Sequence, residues 1–365
     1  MKKTLPARLA LAALAASLLV GCSRAPEAAS EGELHIYTWS DYIAPELIEK
    51  FQDQYHCTIV IDTFDSNENM YAKLKAGGSG YDLITPTSYL IATMAREGLI
   101  VPLDHDQIPN VRANFAQDFK TQLIDDSFTY SAPYAVTYTG FCYDKTKVPA
   151  DADIATWKIL ENPAIRGKAT LLDDMREVLG GGLMSLGYSL NSRDPAEIDA
   201  AVEEILKWKK NIRKFDAESY KTEIPSGATW LGQAYSTDAM QVIEGDEEAG
   251  MPPSPDIGFI LPREGYSIGF DELVLSAKAP NPALAYQFIN FLYEGENAKL
   301  NMEYILGPMP VQPGIDALDP DFRDQIILSP DIIAAGQKIL PIDDDPAAMA
   351  LYQKAWDRVK ATSVR

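Results

Sequence analysis

The first third of the chain alternates between short apolar runs and amphipathic segments, and this alternation constrains the fold strongly. The apolar runs are rich in β-branched and aromatic side chains, which favour strands. We predict strands at residues 34–38, 58–64 and 82–85 and helices at residues 45–55, 67–76 and 89–97. A strand–helix order that repeats three times predicts an α/β fold with an open, mainly parallel sheet and helices on both faces.

The rest of the chain continues the same alternation. Residues 134–143 predict a longer strand, which is a candidate crossing between two domains, and 365 residues suggest about two domains. Later helices open at Asp194-Pro195, where Asp194 is the predicted N-cap, and at Asn281-Pro282 and Asp345-Pro346. We interpret the triplet at residues 180–182 as a flexible glycine turn and residues 245–255 as a surface loop.

The N-terminus predicts export. Lys2, Lys3 and Arg8 flank an apolar run at residues 9–20, which is too short to span a bilayer but has the length of a signal-peptide core. The run ends in Gly21-Cys22, which resembles the lipobox of bacterial lipoproteins and would make Cys22 the lipidated first residue. An ordinary signal peptide with a chance cysteine is the alternative. Residues 23–32 are small and polar, as a tether requires.

The charge of the chain excludes some partners. The formal net charge is −21, and cleavage before Cys22 would leave −24 because it removes three basic residues. Such a body repels nucleic acid and attracts cations at long range. Cys57 and Cys142 lie in β-like runs without a CxxC context, so buried free thiols are the simplest interpretation, although export would permit a disulfide.

Motifs for catalysis or metal binding are absent from the sequence. The three histidines have no metal-ligand spacing, and no phosphate-binding loop or nucleophile elbow occurs. Catalysis would depend on Asp, Glu or Tyr alone. We therefore expect a binding protein rather than an enzyme, without a metal or a cofactor.

Two distant segments combine carboxylates with aromatic rings. Trp39, Asp41 and Tyr42 follow the first strand, and Asp174 and Glu177 lie near the middle of the chain. A flexible organic cation needs both groups, because its ammonium ends bind carboxylates and its methylene body packs on aromatic walls. The segment around Thr87 and Tyr89 also follows a predicted strand, where ligands of such sheets bind.

Several stretches, in this order and spacing, resemble the periplasmic spermidine/putrescine-binding proteins of polyamine ABC importers. The resemblance extends from about residue 34 to the C-terminus. The stretches are residues 37–42 (YTWSDY), 66–75 (SNENMYAKLK), 81–83 with 86–89 (YDL, PTSY), 172–178 (LDDMREV), and 186–189 with 194–195 (LGYS, DP).

The resemblance implies a periplasmic-binding-protein fold, in which two α/β lobes joined by a hinge close over a ligand in the cleft. We expect residues 33–138 and 270–314 to form lobe 1. Residues 141–267 and 318–365 are expected to form lobe 2.

The resemblance also implies which residues bind the ligand. Trp39 and Tyr42 would form aromatic walls, with Ser40 beside them and Asp41 near one amine. Thr87 and Tyr89 would line lobe 1, and Asp174 and Glu177 would hold an ammonium from lobe 2. Asp271 would face the central or distal amine, and Trp230 matches a further tryptophan of the family.

Two departures from the family pattern affect specificity. The family usually has a tryptophan where this chain has Gly269, and a tyrosine where it has Gly307. Unless Phe270 turns in to replace one ring, the loss of two rings predicts a wider cleft. Such a cleft would favour a longer or bulkier amine, or would bind simple polyamines weakly.

Some residues have a structural alternative. Trp39, Tyr42 and Trp230 could pack in a core, Tyr89 could simply pack at a helix start, and Glu177 could pair with Arg176 or another base. Asp173 and Asp174 precede a helix, and we assign the N-cap to Asp173 and the ligand role to Asp174, with the reverse as the alternative. Glu272 competes with Asp271 as the cleft acid.

The expected function is that of a monomeric, lipid-anchored solute-binding protein. It would capture a protonated polyamine and deliver it to the permease subunits of an ABC importer. A polyamine sensor that signals to a membrane receptor is one alternative. Another is a binding protein for a different ligand, such as a quaternary amine, ferric iron or a small anion.

Overall fold

The computed structural model describes residues 32–64, 67–245, 252–342 and 345–363. The strands are β1 (Glu33–Trp39), β2 (Thr58–Phe64), β3 (Leu83–Ile84), β4 (Ser131–Asp144), β5 (Ala169–Leu171), β6 (Ile212–Phe215), β7 (Leu231–Tyr235), β8 (Ile257–Ile260), β9 (Ser267–Leu275) and β10 (Gln337–Lys338).

Helices connect these strands. They are α1 (Pro45–Tyr55), α2 (Asn67–Lys75), α3 (Ile91–Arg96), α4 (Pro109–Asn114), α5 (Met175–Ser185), α6 (Pro195–Trp208), α7 (Tyr220–Glu223), α8 (Ser236–Glu244), α9 (Pro282–Leu292), α10 (Gly295–Ile305), α11 (Gln312–Ala317), α12 (Pro320–Ile326), α13 (Pro330–Ala335) and α14 (Pro346–Ala361). Short 3₁₀ turns lie at Ser88–Leu90, Gln117–Gln122, Trp157–Glu161 and Pro163–Ile165.

The predicted α/β fold is confirmed. The strand order is β2-β1-β3-β9-β4-β7-β5-β6, with β8 paired to β4 and β10 paired to β9. The β1–β2, β1–β3, β5–β6 and β5–β7 pairs are parallel, whereas β9 and β4 run antiparallel to their neighbours in this order.

Strand β4 crosses between two halves of the molecule. Its residues 131–138 pair with β9, and its residues 139–144 pair with β7 and β8. The predicted long strand is therefore present and serves as a crossing. One large apolar core lies beside the first half and a second lies beside the other half, and a smaller cluster that includes Tyr37 and Met70 packs within the first half.

The division of the chain between the two cores differs from the expectation near the C-terminus. Leu318, Ile326 and Ile333 are buried in the first core, although residues 318–365 were expected in lobe 2. The chain reaches the second core only after β10, where Ile342 and Tyr352 are buried. The expected boundary at residue 318 is therefore wrong, because α12 and α13 pack with the first core.

Local signals place several helices correctly. Asp194 and Asp345 cap α6 and α14, each accepting a backbone N–H with a carboxylate oxygen (2.7 Å from Ala196 N and 3.0 Å from Ala347 N). Asn281 does not cap α9, and its side chain donates to the carbonyl of Glu33 (2.7 Å) instead. The helix predicted at 89–97 is a 3₁₀ turn followed by α3.

The glycine triplet at residues 180–182 is not a turn. It lies inside α5, where a Cβ on Gly181 would be 2.7 Å from the Trp157 ring and one on Gly182 would be 2.9 Å from Ile205. The missing side chains let α5 pack closely on Trp157 and on α6.

Cys57 and Cys142 are free and buried, in the first and second core respectively. Within the described ranges, no helix has the length and apolarity needed to cross a membrane. The predicted lipidation site Cys22 and the tether up to residue 31 lie outside the described residues, as do residues 246–251 of the predicted surface loop.

Candidate ligand-binding cleft

Strand β9 runs along the junction of the two halves, and the side chains on one of its faces line this junction. Successive side chains alternate between faces of a strand, so Ser267, Gly269 and Asp271 share one face, while Phe270 is buried in the first core. The Cα atoms of Ser267 and Asp271 are about 13 Å apart along the strand. Acidic groups meet this face at both ends.

Asp271 is held by hydroxyl groups from the first half. Thr87 Oγ1 donates to Asp271 Oδ1 (2.6 Å), and the Tyr42 hydroxyl donates to Asp271 Oδ2. Asn67 Nδ2 in turn donates to Thr87 Oγ1 (2.8 Å) and fixes its orientation. Burial raises the pKa of Asp271 to about 6, against the lowering effect of these bonds. The hydroxyls position the carboxylate but carry no charge to neutralise it.

The aromatic residues at the end of β1 and shortly after it are partly buried. Trp39 Nε1 donates to the carbonyl of Thr85 (3.0 Å), and its ring lies 4.5 Å from that of Phe64. The Tyr42 ring packs edge-on against Tyr134 (5.5 Å). These rings are thus fixed to the first half.

Ser40 and Asp41 form the exposed turn between Trp39 and Tyr42. Asp41 has a φ of 53°, in the left-handed region that aspartate and asparagine tolerate. Its carboxylate is at the solvent-facing side of the turn.

Asp174 caps α5. Asp174 Oδ1 accepts from the backbone N–H groups of Arg176 (2.8 Å) and Glu177 (3.0 Å), so the assignment of the cap to Asp173 is wrong. Asp173 instead pairs with Lys360 (2.6 Å) at the surface. Asp174 Oδ2 accepts only from the Tyr235 hydroxyl in the described contacts, at 3.3 Å, and stays available on the cleft side.

Glu177 joins α5 to β9. Both of its carboxylate oxygens accept from Ser267 Oγ (2.9 and 2.7 Å). Burial, followed by the charge of Asp174, raises the pKa of Glu177 to about 7. The proposed alternative of an ion pair with Arg176 is not seen, because the Arg176 guanidinium donates to the Leu340 carbonyl (2.9 Å), away from this carboxylate.

Tyr235 and Asp238 join the cleft and were missed by the sequence analysis. Burial raises the pKa of Tyr235 well above its usual value. The charges of Asp174 and Glu177 raise it further, as does the hydroxyl of Tyr89 from the first half. Asp238 accepts from the Tyr220 hydroxyl (2.5 Å) and pairs with Lys221 (3.6 Å). Both residues follow or end β7, so the strand-end rule could have found them.

Trp230 is not brought together with the other predicted residues. It comes directly before β7, and Lys168 Nζ lies 5.5 Å from its ring. Tyr235 is the last residue of β7 and lies about 16 Å further along the chain direction. Trp230 therefore does not join the group of predicted residues at the carboxyl end of β7, and its role stays a prediction.

The two glycine departures have different consequences. A Cβ on Gly269 would meet the Thr87 methyl at 4.0 Å, an ordinary contact distance, so this position could hold a side-chain carbon. A Cβ on Gly307 would collide with the Thr237 methyl of α8, so the second half fills that space. Phe270 is buried against Phe119 (6.2 Å) and does not replace a missing ring. The structure thus has room for a side-chain carbon at Gly269 and none at Gly307, and the wider cleft stays a prediction.

The cleft has the chemistry of a cation site without a metal centre. In the part of the chain that the structure describes, no three His, Cys, Asp or Glu side chains are grouped as metal ligands. The described hydrogen-bond donors to three acids of the cleft are hydroxyl and backbone N–H groups. These acids are Asp271 from one half and Asp174 and Glu177 from the other. Such carboxylates favour an added cation.

Comparisons with known proteins identify the family of this chain. Residues 46–329 match the family described as bacterial extracellular solute-binding protein. A putrescine/cadaverine-binding protein of Pseudomonas aeruginosa is 32% identical, over 95% of this chain and 98% of the relative. The spermidine/putrescine-binding periplasmic protein of Escherichia coli is also 32% identical, over 95% and 97%.

Solved structures show the same fold. A putative spermidine/putrescine ABC transporter from Listeria monocytogenes superposes with a TM-score of 0.81 at 30% identity, over 90% of this chain and 99% of that chain. The Tp0655 lipoprotein of Treponema pallidum has a TM-score of 0.78 at 27% identity, with the same coverage. The two-lobed periplasmic-binding-protein fold is thereby confirmed.

Proposed function

This chain belongs to the bacterial extracellular solute-binding proteins, and from that premise we propose that it captures a protonated polyamine of the putrescine and spermidine class. The polyamine binds in the cleft between the lobes, and the protein delivers it to the permease subunits of an ABC importer. The protein acts by binding and lobe closure and has no enzymatic step.

The observation that carries the proposal is the set of carboxylates contributed by both halves. Asp271 stands at one end of the β9 face, and Glu177 with Asp174 stands at the other. Polyamine nitrogens are protonated at neutral pH, since their pKa is near the value of about 10.4 for lysine. A chain with ammonium groups at intervals matches separated acids better than a compact cation does.

Rings and hydroxyls complete the proposed site. Tyr42, Tyr89 and Tyr235 contribute aromatic surface beside the acids, and Trp39 flanks the first-half wall. Thr87 orients Asp271. Ser40 and Asp41 lie at the exposed edge, where Asp41 attracts the ligand without enclosing it.

The proposed closing motion follows from this division of contacts. A cation that binds Asp271 and Glu177 together is held by both lobes, so it favours the closed arrangement over an open one.

We also propose that the mature protein begins at lipidated Cys22 and is held by the tether at residues 23–32. This would place it in the periplasm, or on the cell surface if the host has one membrane, as a monomer that binds no nucleic acid. The sequence signal at Gly21-Cys22 supports this anchor.

The test is the variant Asp271→Asn, which keeps the shape of the side chain and removes its charge. Putrescine affinity measured by calorimetry should fall about a hundredfold or more, because a buried ammonium would lose its charged partner. Asp118→Asn changes an exposed acid outside the cleft and serves as the control. Equal affinities of the two variants would refute the site.

A further inference from the structure

A second buried acid lies behind the cleft. Glu272 follows Asp271 on β9 and faces the opposite side of the sheet, where it lines a cavity of about 350 Å³ in the first half. The cleft does not use this acid. The sequence analysis weighed it only as a rival of Asp271.

Glu272 has hydrogen-bond donors but no described cationic partner. It is 3% exposed and accepts from the hydroxyls of Ser88 and Ser131, one at each carboxylate oxygen. Burial raises the pKa of Glu272 to about 7, and the charges of Asp125 and Asp271 act in the same direction. An ionised carboxylate accepts about four hydrogen bonds, so each oxygen retains capacity for another donor.

The walls of the cavity are mainly apolar. Ile91 and Ala95 of α3 line one part, and Ile124 and the Tyr130 ring line another. Arg96 also lines the cavity but is exposed, and it donates to Thr93 Oγ1 (3.0 Å). A cation is thus favoured beside the buried acid and disfavoured near Arg96.

We propose that this cavity is a second amine site, which binds a primary ammonium group on a short hydrocarbon chain. The ammonium contacts Glu272 at the cavity floor, and the hydrocarbon chain packs on Ile91, Ala95 and Ile124. Because its residues are distinct from those of the cleft, this site does not depend on the proposed polyamine function.

The probe is n-butylammonium chloride, whose single charge cannot satisfy both ends of the cleft. Calorimetric titration of the full chain should show saturable binding. Glu272→Gln retains an acceptor for the serine hydroxyls but loses the charge, and should weaken binding about tenfold to a hundredfold. Ala95→Leu tests the cavity independently, because it fills the space of the hydrocarbon chain without changing the acid.

The surface variant Asp118→Asn is the control and should leave n-butylammonium affinity within about threefold of the unaltered chain. Asp271→Asn changes the cleft and shows whether the amine binds there instead. Binding that is lost in Asp271→Asn but kept in Glu272→Gln and Ala95→Leu would place the amine in the cleft and overturn the proposal. Absence of saturable binding, or binding that neither cavity variant weakens, would overturn it as well.

Discussion

Asp174 uses its two carboxylate oxygens for different purposes. Oδ1 ends the N-terminal turn of α5, and Oδ2 faces Tyr235 on the cleft side. The sequence shows two adjacent acids before a helix, and either is an acceptable cap. The choice depends on Lys360, which is 187 residues further along and binds Asp173. Local sequence therefore could not decide it.

We predict that Asp174→Asn weakens polyamine binding without harming the fold. Asparagine caps helices as well as aspartate, so the free energy of unfolding should change by less than about 0.5 kcal/mol. Loss of the charge should weaken putrescine affinity about tenfold. Asp173→Asn is the matched control, because it removes the adjacent charge outside the cleft. Calorimetry and urea denaturation would measure both effects, and a larger loss of affinity in Asp173→Asn would contradict the assignment.

The structure brings some of the residues predicted from motifs together and leaves others apart, and their place on a strand explains the difference. Thr87, Tyr42 and Asp271 meet in one hydrogen-bonded group, as their motifs indicated. Trp230 precedes β7 and lies outside this group, whereas Tyr235 ends that strand and donates to Asp174. The motif identified the right segment, but the direction of the strand determined which residue faces the cleft.

At the scale of elements, the ends of helices and strands could be predicted where a proline or another local signal marks them. The bounds of α1 and β2 agree with the sequence prediction, since Pro45 opens α1 and His56 ends it in the left-handed conformation. The glycine triplet in α5 was misread because its cause is close packing on Trp157, a tertiary contact. The sequence analysis also missed that the chain reaches the second core only after β10, because that crossing is likewise decided by tertiary packing.

The contact between Gly307 and α8 gives a prediction about closure. In Gly307→Ala, the new methyl would press on the Thr237 methyl from the other half and hold the lobes apart. Putrescine affinity should fall about fivefold to a hundredfold, as overpacking of this kind costs about 1–3 kcal/mol.

Thr237→Ser tests the cause, since serine keeps the hydroxyl and removes the colliding methyl group. The double variant Gly307→Ala with Thr237→Ser should regain most of the lost affinity in the same calorimetric titration. A double variant as weak as Gly307→Ala alone would mean that the interlobe collision is not the cause.

At the scale of the whole molecule, buried acids make stability and binding respond oppositely to pH. The pKa of Glu177 and of Glu272 is raised to about 7, and that of Asp271 to about 6. A raised folded-state pKa favours the folded protein at low pH, and that contribution is lost as pH rises from about 4 through the folded value. Ligand binding needs the ionised forms of Asp271 and Glu177 instead.

We therefore predict that these acids make the ligand-free protein less stable at pH 8 than at pH 5, while putrescine affinity falls as pH is lowered below about 7. Urea denaturation and calorimetry at pH 5, 6, 7 and 8 would measure the two trends. In Glu177→Gln, the pH dependence of both should be smaller. Affinity that is constant across this range would show that the cleft acids do not bind the cation.

The most direct test of the account is calorimetric titration of the purified protein after ligand is removed by unfolding and refolding. The ligands are putrescine, cadaverine, spermidine and spermine, with choline and lysine as comparisons. We expect saturable binding of at least one polyamine, stronger than that of choline or lysine. A folded protein that binds none of the polyamines would contradict the proposed function.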